Sequence, residues 1–333
     1  MKALILEKYG PLEKGLAFRQ VDVPRPGNNG ILIEVHAAGL NPHDYKQALG
    51  ELQKHEPLSL PARVGADFAG RIIEAGRDVS GFNKGDNVFG LCSGAIAENC
   101  VVTRDDIAPI PPNIGFEQAA GLGVVGMTTL QAFDRIGGIQ RNDKVLIHAG
   151  MGGVGSFAIQ YAKSQGAYVV TTANAESSEK LLELGADRVI DYRTEDYLKQ
   201  CSDFDIVFDT LGGKYSYDAF RVIKPGGKVT SIVPAEINSY VAREFRLPKT
   251  VAFFLGLKPS RIRKLIKQKK ATYAFVFMRP KAKDLEAVAK LVEQGRIKPV
   301  IDRVYPLDQA IEALRYLANK HARGKVIITV TKD

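Results

Sequence analysis

The chain has 333 residues, of which 45% are hydrophobic and 25% charged, a composition typical of a globular protein large enough for two domains. No apolar run approaches 18 residues, no secretory pattern follows Met1, and the three cysteines are scattered, so we expect no transmembrane helix, no disulfide framework and a cytoplasmic location. The formal net charge of +9 favours anionic ligands without naming one.

The first hundred residues read as a series of short strands separated by glycine and proline turns. Alternation of apolar and polar side chains is clearest in the second strand, where Ile31, Ile33 and Val35 share one face. The predicted strands are Met1 to Leu6, Ile31 to Ala37, Arg71 to Ala75, Asn87 to Leu91 and Ala97 to Val102. This pattern predicts a small barrel-like β domain.

Beyond Phe116 the pattern changes to apolar strands interleaved with helices. A helix is predicted over Thr128 to Ile136, another over Glu179 to Leu184, and a tight turn at Pro225 to Gly227. The predicted strands are Lys144 to Ala149, Tyr168 to Thr172, Arg188 to Asp191, Asp205 to Asp209 and Lys228 to Val233. Alternation of this kind predicts an α/β fold with a doubly wound parallel sheet.

A glycine cluster follows the first of these strands. Gly150, Gly152 and Gly155 fit the spacing G-x-G-x-x-G, and Gly153 and Val154 lie between them. In this pattern the first glycine makes the turn, the second lets a pyrophosphate approach the backbone, and the third lets the helix pack on the strand. A glycine-rich turn without a ligand is the alternative, but the order of strand, turn and helix favours a dinucleotide site.

The end of the second strand bears on the choice of dinucleotide. An NAD site usually has a carboxylate there, which holds the ribose 2′-hydroxyl group. This chain has Asn174 at that place and no acid before Glu176, and Lys180 follows in the next helix. The sequence therefore predicts NADPH over NADH, although Lys180 can also be read as a solvated helix charge.

The segment from Ala235 to Tyr273 is the least readable. Within it, Lys258 to Lys270 predicts a basic helix with one apolar face. Such helices bind membranes or nucleic acid in some proteins, and in others simply pack on their own domain. After it we expect a strand over Ala274 to Met278. Helices near Asp284 to Gln294 and Asp308 to Asn319 and a strand over Lys325 to Val330 complete the chain.

The order of motifs resembles the zinc-independent branch of the medium-chain dehydrogenase/reductase superfamily, its quinone oxidoreductase and enone reductase group. The motifs are AAGLNPHDYK (37–46), GADFAGRIIEAGRDVSGFNKGDNVFG (65–90), AAGLGVVGMTTLQAF (119–133), the glycine stretch, LGADRVIDYRTEDY (184–197) and ARGKVIITV (322–330). The resemblance implies a GroES-like catalytic domain at 1–124, completed by 279–333, and a Rossmann NADPH domain at 125–278. It also implies NADPH and substrate in the cleft between the domains, and a homodimer.

Further cofactor contacts come from the resemblance. Tyr192 is similar to a tyrosine that contacts the 2′-phosphate, and Thr128 to a threonine near the nicotinamide ribose; a core aromatic and a helix N-terminal position are the alternatives. Leu211 and Val233 lie in loops that resemble those beside the nicotinamide. Arg323 or Lys325 would neutralise a cofactor phosphate, unless they belong to a solvated C-terminal turn.

Residue chemistry bears on the metal and on the acceptor. The zinc enzymes of this superfamily have a cysteine and a Gly-His-Glu where this chain offers His43 and Asp67, an incomplete ligand set, so we expect no metal. Without a Lewis acid the acceptor should already be electron-poor, a quinone or an alkene conjugated to a carbonyl. The expected partners are such small molecules, without DNA and without stable membrane insertion.

The resemblance places Asn41, Asp44 and Tyr45 in the loop that lines the substrate site. Asn41 would bind the substrate carbonyl and Tyr45 would donate a proton or orient a water; a turn at Asn41-Pro42 and a helix cap at Asp44 are the alternatives. The predicted function is an NADPH-dependent reductase of quinones or enones. A non-catalytic NADPH-binding protein that attaches to RNA or to an anionic membrane through Lys258 to Lys270 is the alternative.

Overall fold

A computed structural model describes residues 1 to 331, and these form two compact units. One unit comprises Met1–Met127 and the segment from Pro280 onward, and the other is Thr128–Arg279. The sequence boundaries expected above lie at 124/125 and 278/279.

The elements follow one another in chain order. The first part contains β1 (Lys2–Leu6), α1 (Leu12–Gly15), β2 (Leu16–Gln20), β3 (Gly30–Leu40), α2 (Pro42–Ala48), β4 (Ala62–Arg63), β5 (Asp67–Ala75), β6 (Asn87–Leu91), β7 (Asn99–Thr103), β8 (Ile107–Pro109), α3 (Phe116–Ala120) and α4 (Gly123–Asp134). The middle contains β9 (Lys144–Ile147), α5 (Gly153–Ser164), β10 (Tyr168–Ala173), α6 (Ser178–Glu183), β11 (Arg188–Asp191), α7 (Tyr197–Gln200), β12 (Phe204–Asp209), α8 (Lys214–Val222), β13 (Ile223–Ser231), α9 (Ser239–Glu244), α10 (Lys249–Leu257), α11 (Arg261–Lys269) and β14 (Thr272–Phe275). The last part contains α12 (Ala282–Glu293), β15 (Ile301–Pro306), α13 (Ala310–Ala318) and β16 (Lys325–Thr329).

The middle unit is built on one parallel sheet of six strands in the order β11-β10-β9-β12-β13-β14. The chain moves outward from β9 in one direction and then returns to the other side of it. This is the Rossmann order, in which the switch point lies at the first strand. The predicted doubly wound α/β fold is confirmed.

Helices cover both faces of this sheet, as the alternation of side chains along β9 shows. Val145 and Ile147 pack with residues of α4 and α5, whereas Leu146 packs with residues of α8 and α11. Because the strands are buried on both faces, they read in the sequence as continuous apolar runs.

The other unit is β-rich. A sheet in the order β15-β16-β3-β5-β6-β8, with β7 also paired to β3, contains strands from both ends of the chain. The antiparallel pairing of β16 with β3 brings Val326 opposite Leu40, so the C-terminal strand completes the N-terminal sheet. A smaller sheet has the order β2-β1-β4.

Two parts of the middle unit differ from the predictions. The tight turn expected at Pro225 to Gly227 lies inside β13, where Gly226 has a φ of +79° and the register against β12 shifts. The segment from Ala235 to Tyr273 contains two further helices, α9 and α10, before the predicted basic helix α11. None of the helices over residues 1 to 331 is long and apolar enough to span a membrane.

Candidate functional site

The glycine turn connects β9 to α5, and two of its glycines are required by packing. A Cβ on Gly150 would lie 2.2 Å from the hydroxyl oxygen of Thr171, and one on Gly155 would lie 2.3 Å from the carbonyl oxygen of Ala149. Neither neighbour has room to withdraw, because one belongs to the sheet and the other to the turn itself. These glycines therefore fix helix against strand, as the spacing predicts.

Gly152 differs from them because its missing side chain leaves open space. A Cβ there would meet no atom closer than 3.4 Å. Gly152 is also the N-cap of α5 and supplies no side-chain cap, so the N–H groups at Gly153 and Val154 face outward from the helix. Open space beside uncapped N–H groups fits the pyrophosphate of a dinucleotide.

Asn174 and Tyr192 come together at the ends of neighbouring strands. They follow Ala173 and Asp191, which are paired in the parallel ladder, and the Tyr192 N–H donates to the Ala173 carbonyl oxygen at 3.1 Å. Tyr192 is 57% exposed, and the side-chain oxygen Oδ1 of Asn174 accepts from the Ser177 hydroxyl at 2.5 Å. An exposed tyrosine beside an amide, with no acid at the end of β10, fits a phosphate on the ribose.

Two cationic residues, Lys180 and Arg193, lie close in sequence to Asn174 and Tyr192. The sequence predicted a role for Lys180 but not for Arg193. Lys180 is exposed and forms a salt bridge of 2.9 Å with Glu183. The Arg193 guanidinium lies 5.9 Å from the centre of the Tyr192 ring. The signal that would have found Arg193 is its place directly after Tyr192, just past the end of β11.

A buried carboxylate organises the neighbouring strand ends. Asp209, at the end of β12, is fully buried and accepts hydrogen bonds from Ser216 and, at 3.0 Å, from Ser231. His148 Nδ1, after β9, lies 3.5 Å from its other oxygen. Burial alone would raise the pKa of Asp209, but the hydrogen bonds from His148 and Ser216 outweigh it and lower that pKa.

Asp209 also shapes the loop that contains Leu211. Its carboxylate accepts from the N–H groups of Leu211 at 3.0 Å and Gly212 at 2.9 Å. Gly212 has a φ of +72°, and a Cβ there would lie 2.5 Å from a methyl group of Val233. The loop of Leu211 therefore lies against Val233 through Gly212, at the carboxyl ends of the strands, where the glycine turn also lies. The sequence predicted Asp209 only as the end of a strand and gave His148 no role.

In the β-rich unit, Asn41 belongs to a buried polar network. Its side-chain oxygen Oδ1 accepts from Lys325 Nζ at 2.7 Å, and its side-chain nitrogen Nδ2 donates to Asp67 at 3.0 Å and to the Gly39 carbonyl oxygen at 3.4 Å. Both amide N–H groups are thereby engaged within the fold. The expectation that Asn41 donates to a substrate carbonyl is not supported by this geometry.

Lys325 lies at the centre of the same network. Its ammonium group donates to Asp67 at 2.9 Å, to Asn41 and to the Leu40 carbonyl oxygen at 2.9 Å, and the side chain is buried. An ammonium group has three N–H donors, and these three bonds use them all. The expectation that Lys325 neutralises a cofactor phosphate is not supported by this geometry. Arg323, two residues earlier, is exposed.

Asp44 and Tyr45 are buried in α2. Asp44 accepts from the Asn41 N–H at 2.7 Å, which is the helix-cap alternative, and burial raises its pKa to about 6. Tyr45 packs in the hydrophobic core, and burial followed by the charge of Glu51 raises its pKa above the usual 10. A tyrosine buried in this way is a poor acid near neutral pH. Thr128 is also buried, and it lies within α4 rather than at its N-terminus.

His43 and Asp67, the two residues at the positions of zinc ligands, each bind another side chain of the fold. His43 Nε2 lies 2.8 Å from Glu56, which raises the pKa of His43, and Asp67 binds the Lys325 ammonium. Among the side chains described, residues 1 to 331, no group of three His, Cys, Asp or Glu could hold a metal ion. The donor set does not fit a catalytic zinc, which needs three good ligands.

Comparisons with known proteins agree with this architecture. Residues 27–128 match the family described as "Alcohol dehydrogenase GroES-like domain", and residues 184–328 match "Zinc-binding dehydrogenase". Similar relatives include the mitochondrial NAD(P)H oxidoreductase RTN4IP1 of Danio rerio, 31% identical over 100% of this chain and 92% of its own, and the chloroplast envelope quinone oxidoreductase homolog of Arabidopsis thaliana, 32% identical over 98% of each.

A solved structure, the quinone oxidoreductase from Coxiella burnetii, is 33% identical to this chain, covers 99% of both chains and has a TM-score of 0.84. Similarity over the full length of proteins of this kind, together with the strand order and the glycine turn, identifies the family. The chain is an oxidoreductase that belongs to the quinone oxidoreductase group of the medium-chain dehydrogenase/reductase superfamily.

Proposed function

We propose that the protein is an NADPH-dependent reductase that transfers hydride to quinones or to the β-carbon of α,β-unsaturated carbonyls, without a metal. The observation that carries the proposal is the set of residues at the carboxyl ends of the parallel strands in the middle unit. There, the open space at Gly152 lies after β9, Asn174 replaces an acid after β10, and Tyr192 and Arg193 follow β11. The relatives named above are NAD(P)H and quinone oxidoreductases.

When bound, NADPH supplies the hydride, and the chain supplies position and electrostatics. The uncapped N–H groups at Gly153 and Val154 hold the pyrophosphate, and Tyr192 and Arg193 hold the 2′-phosphate. Asp209 fixes Leu211 and Gly212, so the loop after β12 keeps one shape beside the nicotinamide.

The acceptor gains a hydride and one proton, and we assign that proton to water. Asn41 uses both amide N–H groups within the fold, and Tyr45 is buried with a raised pKa. Neither is therefore suited to donate at neutral pH. An acceptor that is already electron-poor needs no Lewis acid, which agrees with the absence of a fitting ligand set among residues 1 to 331.

The test is loss of NADPH absorbance with a 1,4-benzoquinone and with an enone, in parallel with NADH and with a chelator present. We expect turnover with NADPH that exceeds that with NADH and is unchanged by the chelator. No turnover with any acceptor, or loss of turnover on chelation, would refute the proposal.

The homodimer and the cytoplasmic location stay predictions. The Danio rerio relative is described as mitochondrial and the Arabidopsis thaliana relative as a chloroplast envelope protein. Light scattering of the purified chain and fractionation of cells that express it would test the two expectations separately.

A further inference from the structure

Helix α10 exposes a large apolar face. Phe253 is 63% exposed, Phe254 64% and Leu257 67%, and no residue of the helix is fully buried. Positions 253 and 257 are four residues apart and 254 and 257 three apart, so the three side chains share one face. The rings of Phe253 and Phe254 contact each other edge to face with centroids 5.8 Å apart. Exposure of such a face to water is unfavourable, and exposed apolar patches of this kind mark sites of interaction.

Basic side chains lie at both ends of this helix. Arg246 and Lys249 precede the exposed face and Lys258 follows it, and all three are exposed. Nine residues of helix rise about 13 Å, so the cations lie within one helix length of the aromatic side chains. The Arg263 guanidinium donates to the carbonyl oxygens of Gly256 and Lys258 and so ties the start of α11 to the end of α10.

The positive charge of the whole chain is concentrated in this segment. The 46 Lys and Arg residues of the chain exceed its 37 Asp and Glu residues by nine, and residues 245 to 270 contain nine Lys and Arg and no acid. The rest of the chain is formally neutral. On α11, Ile262 is buried in the core while Lys264 and Lys267 are exposed, so the helix packs on its own unit and keeps a basic outer face.

We propose that α10 and the basic residues around it form a docking surface for an anionic phospholipid bilayer. Apolar side chains would enter the boundary between headgroups and acyl chains while Arg246, Lys249, Lys258, Lys264 and Lys267 bind lipid phosphates, as in other interfacial helices. A second copy of this chain fits the surface poorly, because a two-fold symmetric contact would bring the basic residues of one copy close to those of the other. The docking is peripheral and goes beyond the proposed reductase activity.

A tryptophan reporter gives a direct test, because the chain contains no tryptophan. In the Phe254→Trp variant, vesicles of phosphatidylcholine with phosphatidylglycerol should shift the emission to shorter wavelength, and brominated acyl chains should quench it. Vesicles of phosphatidylcholine alone should do neither. The control is Tyr168→Trp, an exposed position at the start of β10 whose emission should not change.

Vesicle sedimentation of variants completes the test. We expect F253S/F254S/L257S and K264E/K267E each to lower the partition coefficient on anionic vesicles by about tenfold or more. K84E/K199E, with the same change of net charge at exposed lysines elsewhere, should keep the wild-type value. Melting temperatures identify any variant that fails to fold. If F253S/F254S/L257S does not fold, K264E/K267E still tests the proposal.

Three results would overturn the proposal. The first is the absence of binding to anionic vesicles, or equal binding by K84E/K199E and K264E/K267E. The second is binding of single-stranded RNA that depends on α10, without binding to vesicles. The third is a wild-type dimer that F253S/F254S/L257S converts to a monomer, which would assign the face to a second copy. Reductase activity measured without lipid is independent of all three.

Discussion

Removal of the Lys325 ammonium group should strongly destabilise the β-rich unit. Lys325→Met keeps the length of the side chain and deletes three hydrogen bonds, to Asp67, Asn41 and the Leu40 carbonyl oxygen. Asp67 is fully buried and keeps the donors from Asn41 and from the Val124 N–H at 2.7 Å, but its charge loses the ammonium counter-ion. Breaking a buried pair in this way costs about 3 to 5 kcal/mol.

For a unit of this size, each kcal/mol lowers the melting temperature by about 2 to 4 °C, so we expect a fall of about 6 to 20 °C. Differential scanning calorimetry and urea unfolding measure it. The double variant D67N/K325M removes both charges and should recover much of the loss, because no uncompensated charge stays buried. Arg19→Met, which breaks the exposed pair with Glu7, should cost less than about 1 kcal/mol.

The rival role for Lys325, a contact to a cofactor phosphate, predicts a different result. It requires Lys325→Met to fold as well as the wild type and to bind NADPH about tenfold more weakly or worse, since a charge-assisted bond contributes about 1.5 to 3 kcal/mol. A loss of stability no larger than that of Arg19→Met, together with weaker NADPH binding, would refute the structural role.

Three further predictions concern the pH profile and the cofactor. The folded-state pKa of Asp44 is about 6 against an ordinary 3.8, so protonation of Asp44 stabilises the fold fully below about pH 4, and this stabilisation is lost as the pH rises through 6. Asp44→Asn cannot ionise and should remove this fall in unfolding free energy, which is about 3 kcal/mol. Melting temperatures from acid to mildly alkaline pH measure it. Gly152→Ala should fold normally and weaken dinucleotide binding, whereas Gly155→Ala should lower the melting temperature because its Cβ meets a carbonyl oxygen at 2.3 Å; equal stabilities would contradict this. Replacement of Tyr192 by Phe and Arg193 by Ala together should weaken NADPH binding about tenfold and leave NADH binding unchanged, as calorimetric titration would show.

The sequence predicted those features that depend on neighbouring residues. Strand, glycine turn and helix lie within one stretch of chain, and the absence of an acid after β10 is visible in the printed order. These patterns determine the Rossmann sheet and the places of Gly152 and Asn174 on it. The turn at Pro225 to Gly227 shows the limit of such local patterns. Gly226 has a positive φ, as a turn requires, but Ile223 and Lys228 on either side both pair with β12, so the turn interrupts β13 instead of preceding it.

The polar network of the β-rich unit could not be predicted in the same way. Lys325 and Asn41 are 284 residues apart in the chain, and only the pairing of β16 with β3 brings them together. Each alone resembled a site residue, a cation for phosphate and an amide for a carbonyl. In the folded chain their polar atoms form hydrogen bonds with each other, as buried polar groups require.

The positions of the charged residues on the fold distinguish two kinds of anion binding, which the net charge alone does not. The cofactor site as proposed relies on backbone N–H groups with Tyr192 and Arg193, so few ion contacts are lost when salt is added. The attraction of anions to the surface around α10 comes mainly from exposed lysine and arginine side chains, whose interactions are screened within about 10 Å at 0.1 M salt. NADPH binding should therefore weaken only modestly with salt while vesicle binding falls steeply. A steep fall of both would mean that the cofactor also depends on the basic segment, and that the two sites are not independent.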